Sequence, residues 1–139
     1  MKSFLFLLLA SFTLINVNAQ LEPNDKVFLV FEEVEGKESV DGNDAIVTLK
    51  SYLTGKTTLT IVENKEASQF YFKLNVITNK KKRLAKIVIL NSKTEEVIFE
   101  SEWMKGSGMN QYYGYSGTRM AVGKLVKNDV LDAFPEISD

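Results

Sequence analysis

The 139-residue chain contains no cysteine and no histidine. Disulfides are therefore impossible, and stability has to come from packing alone. Thiol chemistry, Cys/His zinc sites and every catalytic arrangement that needs an imidazole base are excluded with them. Carboxylates leave two chemistries open, a hard-cation site and a glycosidase-type acid pair. An excess of one charge is also missing, since 17 Lys plus Arg stand against 18 Asp plus Glu. Near-neutrality excludes generic nucleic-acid binding, which rests on neutralising phosphates with a basic surface. No internal repeat or low-complexity tract is present.

One long apolar run exists, and it lies at the start. Lys2 precedes Phe4 to Ile15, and Val17-Asn18-Ala19 sets compact residues before Gln20. This is the layout of a secretory signal peptide. The run is about a dozen residues, short of the ~20 that a bilayer-spanning helix requires. The sequence therefore predicts cleavage between Ala19 and Gln20. Residues 1–19 are the leader, and 20–139 form one exported domain, periplasmic or extracellular, without stable membrane insertion. The lipid-modified N-terminal Cys of a bacterial lipoprotein is excluded. Loss of Lys2 leaves a mature net charge of −2.

Gln20 to Asp25 reads as a loose arm. Val27 to Phe31 is apolar on both faces and predicts a covered strand. Glu32 to Gly42 is an acidic loop. Asn43 is a candidate N-cap, and Ile46, Leu49 and Leu53 share one helical face, so a helix spans 44–54 with Gly55 at its C′ position. Thr58 to Val62 alternates as a strand. Gln69 to Ile77 alternates most clearly: Phe70, Phe72, Leu74 and Val76 face a core, while Gln69, Tyr71, Lys73 and Asn75 face water. Asn79 to Arg83 is a charged turn, Leu84 to Leu90 the returning strand, and Val97 to Trp103 the next, with Val97, Phe99 and Trp103 on one side. Lys105 to Gly117 reads as a long Tyr/Gly loop. Ser116 or Thr118 caps a last helix whose stripe is Thr118, Ala121, Val122, Leu125 and Val126, and which stops before Pro135. The order β-α-β-β-β-β-α predicts an α+β two-layer sandwich, a mainly antiparallel five-stranded sheet with two helices on one face.

Few residues suggest chemistry. Lys80 to Arg83 could meet phosphates, lipid headgroups or an acidic partner, but reads more simply as a solvated hairpin turn that discourages edge pairing. The cluster Glu32, Glu33, Glu35, Glu38, Asp41 and Asp44 lacks EF-hand spacing, and no metal site is expected. Glu100 and Glu102 fall on one strand face and are the candidate acid pair, more simply the wet side of the sheet. The candidate ligand-binding residues are Tyr112, Tyr113, Tyr115 and Arg119. Tyrosines offer a broad apolar face and a polar hydroxyl at small entropic cost. The loop ends at a helix N-terminus, and Arg119 lies in that first turn. The alternative is that these tyrosines fold back over the sheet edge or Trp103.

The segments EASQFYFKLNVI, LAKIVILNSKTEEVIFESEW and YSGTRMAVGKLVKND together resemble the small bacterial envelope domains of the TolB N-terminal and curli-secretion CsgG-like type. In that pattern a strand leads to a hairpin with a D-x-x-T-G-E-like turn and a closing Ala/Leu/Lys helix. Here Glu95 replaces the usual Gly after Thr. The resemblance covers residues 66–129 and carries no catalytic residues. It implies a noncatalytic role in an envelope assembly, with another envelope protein or component as partner, no nucleic acid and no cofactor. The alternatives are a carboxylate-dependent hydrolase and a structural module pairing through a sheet edge.

Overall fold

A computed structural model describes residues 20–80, 82–107 and 117–139. Residues 1–19, expected to be a leader, and with them the expected cleavage site, lie outside the described residues. Strands β1 (Lys26–Phe31), β2 (Thr60–Ile61), β3 (Phe70–Asn79), β4 (Lys82–Asn91), β5 (Val97–Glu100) and β6 (Met104–Ser107) form a single sheet. Its order is β2-β1-β3-β4-β5, with β6 on the same edge of β4 as β5. Helices α1 (Gly42–Lys56) and α2 (Gly117–Lys124) complete the domain. A π-helical stretch, Leu125–Val130, and a short α3 (Leu131–Ala133) extend α2. The α+β sandwich expected from the sequence is the observed architecture. The sheet has one strand more than expected, and β1 runs parallel to both of its neighbours while the other pairings are antiparallel.

The core lies between the helices and one sheet face. Phe72, Leu74 and Val76 of β3 and Ala85, Ile87 and Ile89 of β4 meet Leu49 and Leu53 of α1 and Ala121, Val122 and Leu125 of the last helical segment. Phe72 and Leu74 are fully buried, as the alternation predicts. Burying such a side chain stabilises the fold by roughly 1.5–3 kcal/mol. Phe99 of β5 closes the far end of the core edge-on to Phe134, with ring centroids 5.7 Å apart.

Several local expectations are corrected. The arm is not loose: Leu21 is fully buried, and Glu22 N donates to Asp25 Oδ2 at 2.8 Å to close a turn. Asp41, not Asn43, caps α1 by accepting from Asp44 N. Gly55 lies inside that helix, which ends at Thr57 in extended conformation, where Thr57 Oγ1 donates to Leu53 O at 2.6 Å. The acidic loop covers the edge of β3 that β1 leaves bare, with Val40 N donating to Val76 O and Thr78 N to Glu38 O. Val97 and Phe99 do not share a side. A register shift opposite Ile89 and Leu90 separates them, and Val97 is half exposed. The strand expected over Val97 to Trp103 breaks at Ser101, which leaves the ladder and substitutes for it: Ser101 N donates to Ile87 O and Ser101 Oγ accepts from Ile87 N, both at 2.9 Å. The chain then resumes pairing as β6 inside the segment expected to be a loop.

Candidate functional site

The β3–β4 hairpin turns within two residues, between the facing pair Asn79 and Lys82. Lys80 takes φ 59° there, as two-residue turns matched to the twist of their strands require. Strand β6 lies along the first half of β4, with Lys82 opposite Ser107, Arg83 opposite Gly106, Leu84 opposite Lys105 and Ala85 opposite Met104. Alternation sends Lys82, Leu84 and Lys105 to the sheet face that carries no helix among the described residues, and Arg83 and Gly106 to the helical face.

Gly106 is required at its position. A Cβ there would lie 2.2 Å from Gly117 O and 2.5 Å from Ala121 N, so β6 and the start of α2 touch backbone to backbone. At Gly117 a Cβ would meet Arg83 Cγ at 2.8 Å, so the arginine stem lies across the helix start. Both ends of segment 108–116 are thus held against each other. Tyr112, Tyr113 and Tyr115 lie outside the described residues. Arg119 is described, and it is exposed in the first turn of α2.

The clamp gathers cations. Lys105 stands beside Lys82 on the open face, and Lys124 Nζ reaches back to Lys105 O at 3.4 Å. The Lys105 ammonium is held below the ordinary lysine range. The close approach of the Lys82 side chain is the largest cause, followed by the Lys82 charge, desolvation and the Lys124 charge. Among the described residues, no ion pair joins Lys82, Arg83, Lys105 or Lys124 to a carboxylate. The sequence shows Lys80 to Arg83 as a run, but it does not place Lys105 or Lys124 beside it. Those two arrive through the β4–β6 pairing and the Gly106 contact.

At the other end of the open face, around Tyr71, a lysine is matched by a carboxylate. Glu95 holds φ 63° in the β4–β5 turn, the left-handed conformation that a Gly would take without strain. Its carboxylate accepts from Tyr71 OH and from Lys65 Nζ. The Lys65 ammonium also sits 4.5 Å from the centre of the Tyr71 ring. Burial, the bond to Glu95 and its charge push the Tyr71 phenol up to about 12. The bonds from Lys65 and Tyr71 hold the Glu95 carboxyl below the usual carboxylate range. Tyr71 and Asn75 are therefore not wet, as the alternation alone suggests; both are buried, and Asn75 Nδ2 donates to Glu32 O at 2.7 Å. Lys73 pairs with Glu32 at 3.2 Å.

The candidate acid pair does not assemble. Glu100 binds Lys86 at 2.8 Å on the open face. Glu102 lies past the Ser101 break and acts instead on Asp129, whose carboxyl is raised by burial, by Asp132 and by Glu102. No group of acidic residues able to hold a metal ion occurs among the described residues. Trp103 is half covered, with Lys86 Nζ 5.8 Å from its ring centre.

No protein family matches the chain, and no curated protein does. Among solved structures, it is similar to the hypothetical protein CT253 from Chlamydia trachomatis, with a TM-score of 0.52 and 9% identity, over 81% of this chain and 96% of that one. It is also similar to the LpoB C-terminal domain from Salmonella enterica, with a TM-score of 0.47 and 12% identity, over 68% of this chain and 90% of that one. At such identities the likeness to the Chlamydia protein is one of fold. No helix of the described residues is long and apolar enough to cross a membrane.

Proposed function

We propose that this protein is an exported, noncatalytic binding domain of the bacterial cell envelope, working through the segment between β6 and α2. The observation that carries the reading is the contact of Gly106 with Gly117 and Ala121. It fixes both stems of a Tyr/Gly-rich segment on a rigid sheet–helix junction, the arrangement in which binding loops are commonly presented. The signal-peptide layout supports export. The sequence resemblance to the TolB N-terminal and CsgG-like domains supports an accessory role beside another envelope protein. An enzymatic role has less support, because Glu100 is neutralised by Lys86 and separated from Glu102.

The test is a Tyr112→Ser/Tyr113→Ser/Tyr115→Ser variant of the mature domain, immobilised against envelope extract beside the wild type. The variant is expected to melt within a few degrees of the wild type and to lose partners that the wild type retains. A fall in stability of several kcal/mol would instead mean that the tyrosines pack on their own fold, since each buried aromatic is worth roughly 1.5–3 kcal/mol.

A further inference from the structure

The cationic end of the sheet has a use that the tyrosines do not explain. Lys82 and Lys105 project from adjacent strands on one face. Lys124 approaches from the end of α2, and the Arg83 stem lies across Gly117 on the other face of the same corner. Like charges this close repel, and a fold gains nothing from gathering them. The acidic loop that could neutralise them sits on the far side of β3, where Glu38 and Val40 bond to Thr78 and Val76. From that loop to β4 is two strand spacings, about 10 Å, and to β6 three, about 14 Å, both beyond the Debye length of about 8 Å at physiological salt. Elsewhere on the open face Lys65 pairs with Glu95, Lys73 with Glu32 and Lys86 with Glu100, while Lys26 at the start of β1 stands singly, with no ion pair among the described residues. Unmatched lysines come together, among the described residues of this face, at the corner beside the loop stems.

We propose that Lys82, Lys105 and Lys124, with Arg83 at the rim, form a binding site for a phosphate-bearing group. A phosphate presents several acceptor oxygens and up to two charges in a small volume. It can accept from three ammonium groups at once, whereas a single carboxylate offers two oxygens and one charge. Its arrival removes the repulsion between Lys82 and Lys105. The lack of an interleaved aromatic in Lys80 to Arg83 argues against a single-stranded nucleic acid as the carrier. The same chemistry is offered by free phosphate and by a phospholipid headgroup. The site stands on described residues alone, so it survives or fails separately from the reading of Tyr112, Tyr113 and Tyr115.

The experiment uses the mature domain at low and physiological salt. Inorganic phosphate is titrated by calorimetry and by NMR of the lysine side chains. Vesicles of phosphatidylglycerol with phosphatidylcholine are compared with phosphatidylcholine alone by co-sedimentation. Two variants of equal charge are compared, Lys105→Gln/Lys124→Gln at the site and Lys37→Gln/Lys93→Gln away from it. Binding to phosphate, to the anionic vesicles or to both, reduced at least fivefold in the first variant and unchanged in the second, supports the site. Binding in the vesicle arm alone makes the source a headgroup, and binding in both arms makes it phosphate in general. Equal losses in the two variants would reduce the effect to net charge and overturn it. So would no binding to either probe, or tighter capture of a poly-glutamate peptide through the same lysines.

Discussion

The two ends of the open sheet face use lysine in opposite ways. At the Tyr71 end, Lys65 is neutralised by Glu95, lies over an aromatic ring and helps hold a turn in an otherwise strained conformation. At the hairpin end, Lys82 and Lys105 stand side by side and Lys124 reaches the Lys105 carbonyl from the end of α2, with no ion pair to a carboxylate among the described residues. Both ends rest on the same strands, so strand propensity does not separate them. What differs is whether the turn that brings the charges together also carries an acid. Glu95 is that acid at one end. At the other, β6 contributes Lys105 and then Gly106, and the helix contributes Lys124. A charged corner that is internally matched serves the fold, and one left unmatched is available to something outside it.

The largest expected effect tests the scaffold common to both ends. Phe72→Ala should cost about 3–5 kcal/mol through lost burial and the cavity left behind, read as a drop in urea midpoint at constant m-value. A cost near that of a surface change would mean that the helical face of β3 is misassigned and that neither end is placed as described.

A smaller effect isolates the matched end. Tyr71→Phe should cost about 0.5–1.5 kcal/mol at neutral pH, the range for one hydrogen bond. The pH dependence is more telling. The phenol value is raised from about 10 unfolded to about 12 folded, so its contribution is complete below pH about 10 and is lost as pH rises through about 12. Wild type and Tyr71→Phe should therefore converge in stability across that window. The lowered Glu95 carboxyl works in the other direction. Its contribution is present above the ordinary carboxylate range and is lost as pH falls through the folded value. Parallel alkaline curves for the two proteins would show that Tyr71 does not bond to Glu95.

The smallest effect belongs to the unmatched end. Lys105→Gln relieves repulsion from Lys82 and Lys124, so its melting temperature at low salt should equal or slightly exceed that of the wild type, and the difference should shrink with added salt. A clear loss of stability would reveal a carboxylate partner for Lys105 and remove the contrast between the two ends.

Much of this was legible along the chain because local periodicity carries it. The alternation of Phe70, Phe72, Leu74 and Val76 assigned the helical face of β3, and Ala121, Val122, Leu125 and Val126 the buried side of the last helical segment. The α+β class followed from the order of such segments. Single-strand patterns could not say that Tyr71 and Asn75 are covered. That depends on Glu95 and Glu32 reaching across from other segments. The bulge that parts Val97 from Phe99 is likewise invisible to a period of two, because one shifted residue reverses the faces. Strand β6 escaped notice because Lys-Gly-Ser is weak strand-forming sequence, and only the free edge of β4 and the surface of α2 make it pair.

The candidate site divides in the same way. The amino-acid sequence by itself determined that there is no thiol or imidazole chemistry, that the fold is of the α+β class, and that a Tyr/Gly segment precedes the last helix. It also placed Arg119 in that helix's first turn. The tertiary structure alone decided that Lys105 and Lys124 join Lys82 and that Glu100 and Glu102 part company. It also decided that Gly106 must be a glycine, because the backbone of another element passes 2.2 Å from where its Cβ would stand. The physical reason is one of range. Burial patterns repeat within a few residues, whereas charge compensation and close backbone approach depend on partners more than ten positions away, which only the folded chain brings together.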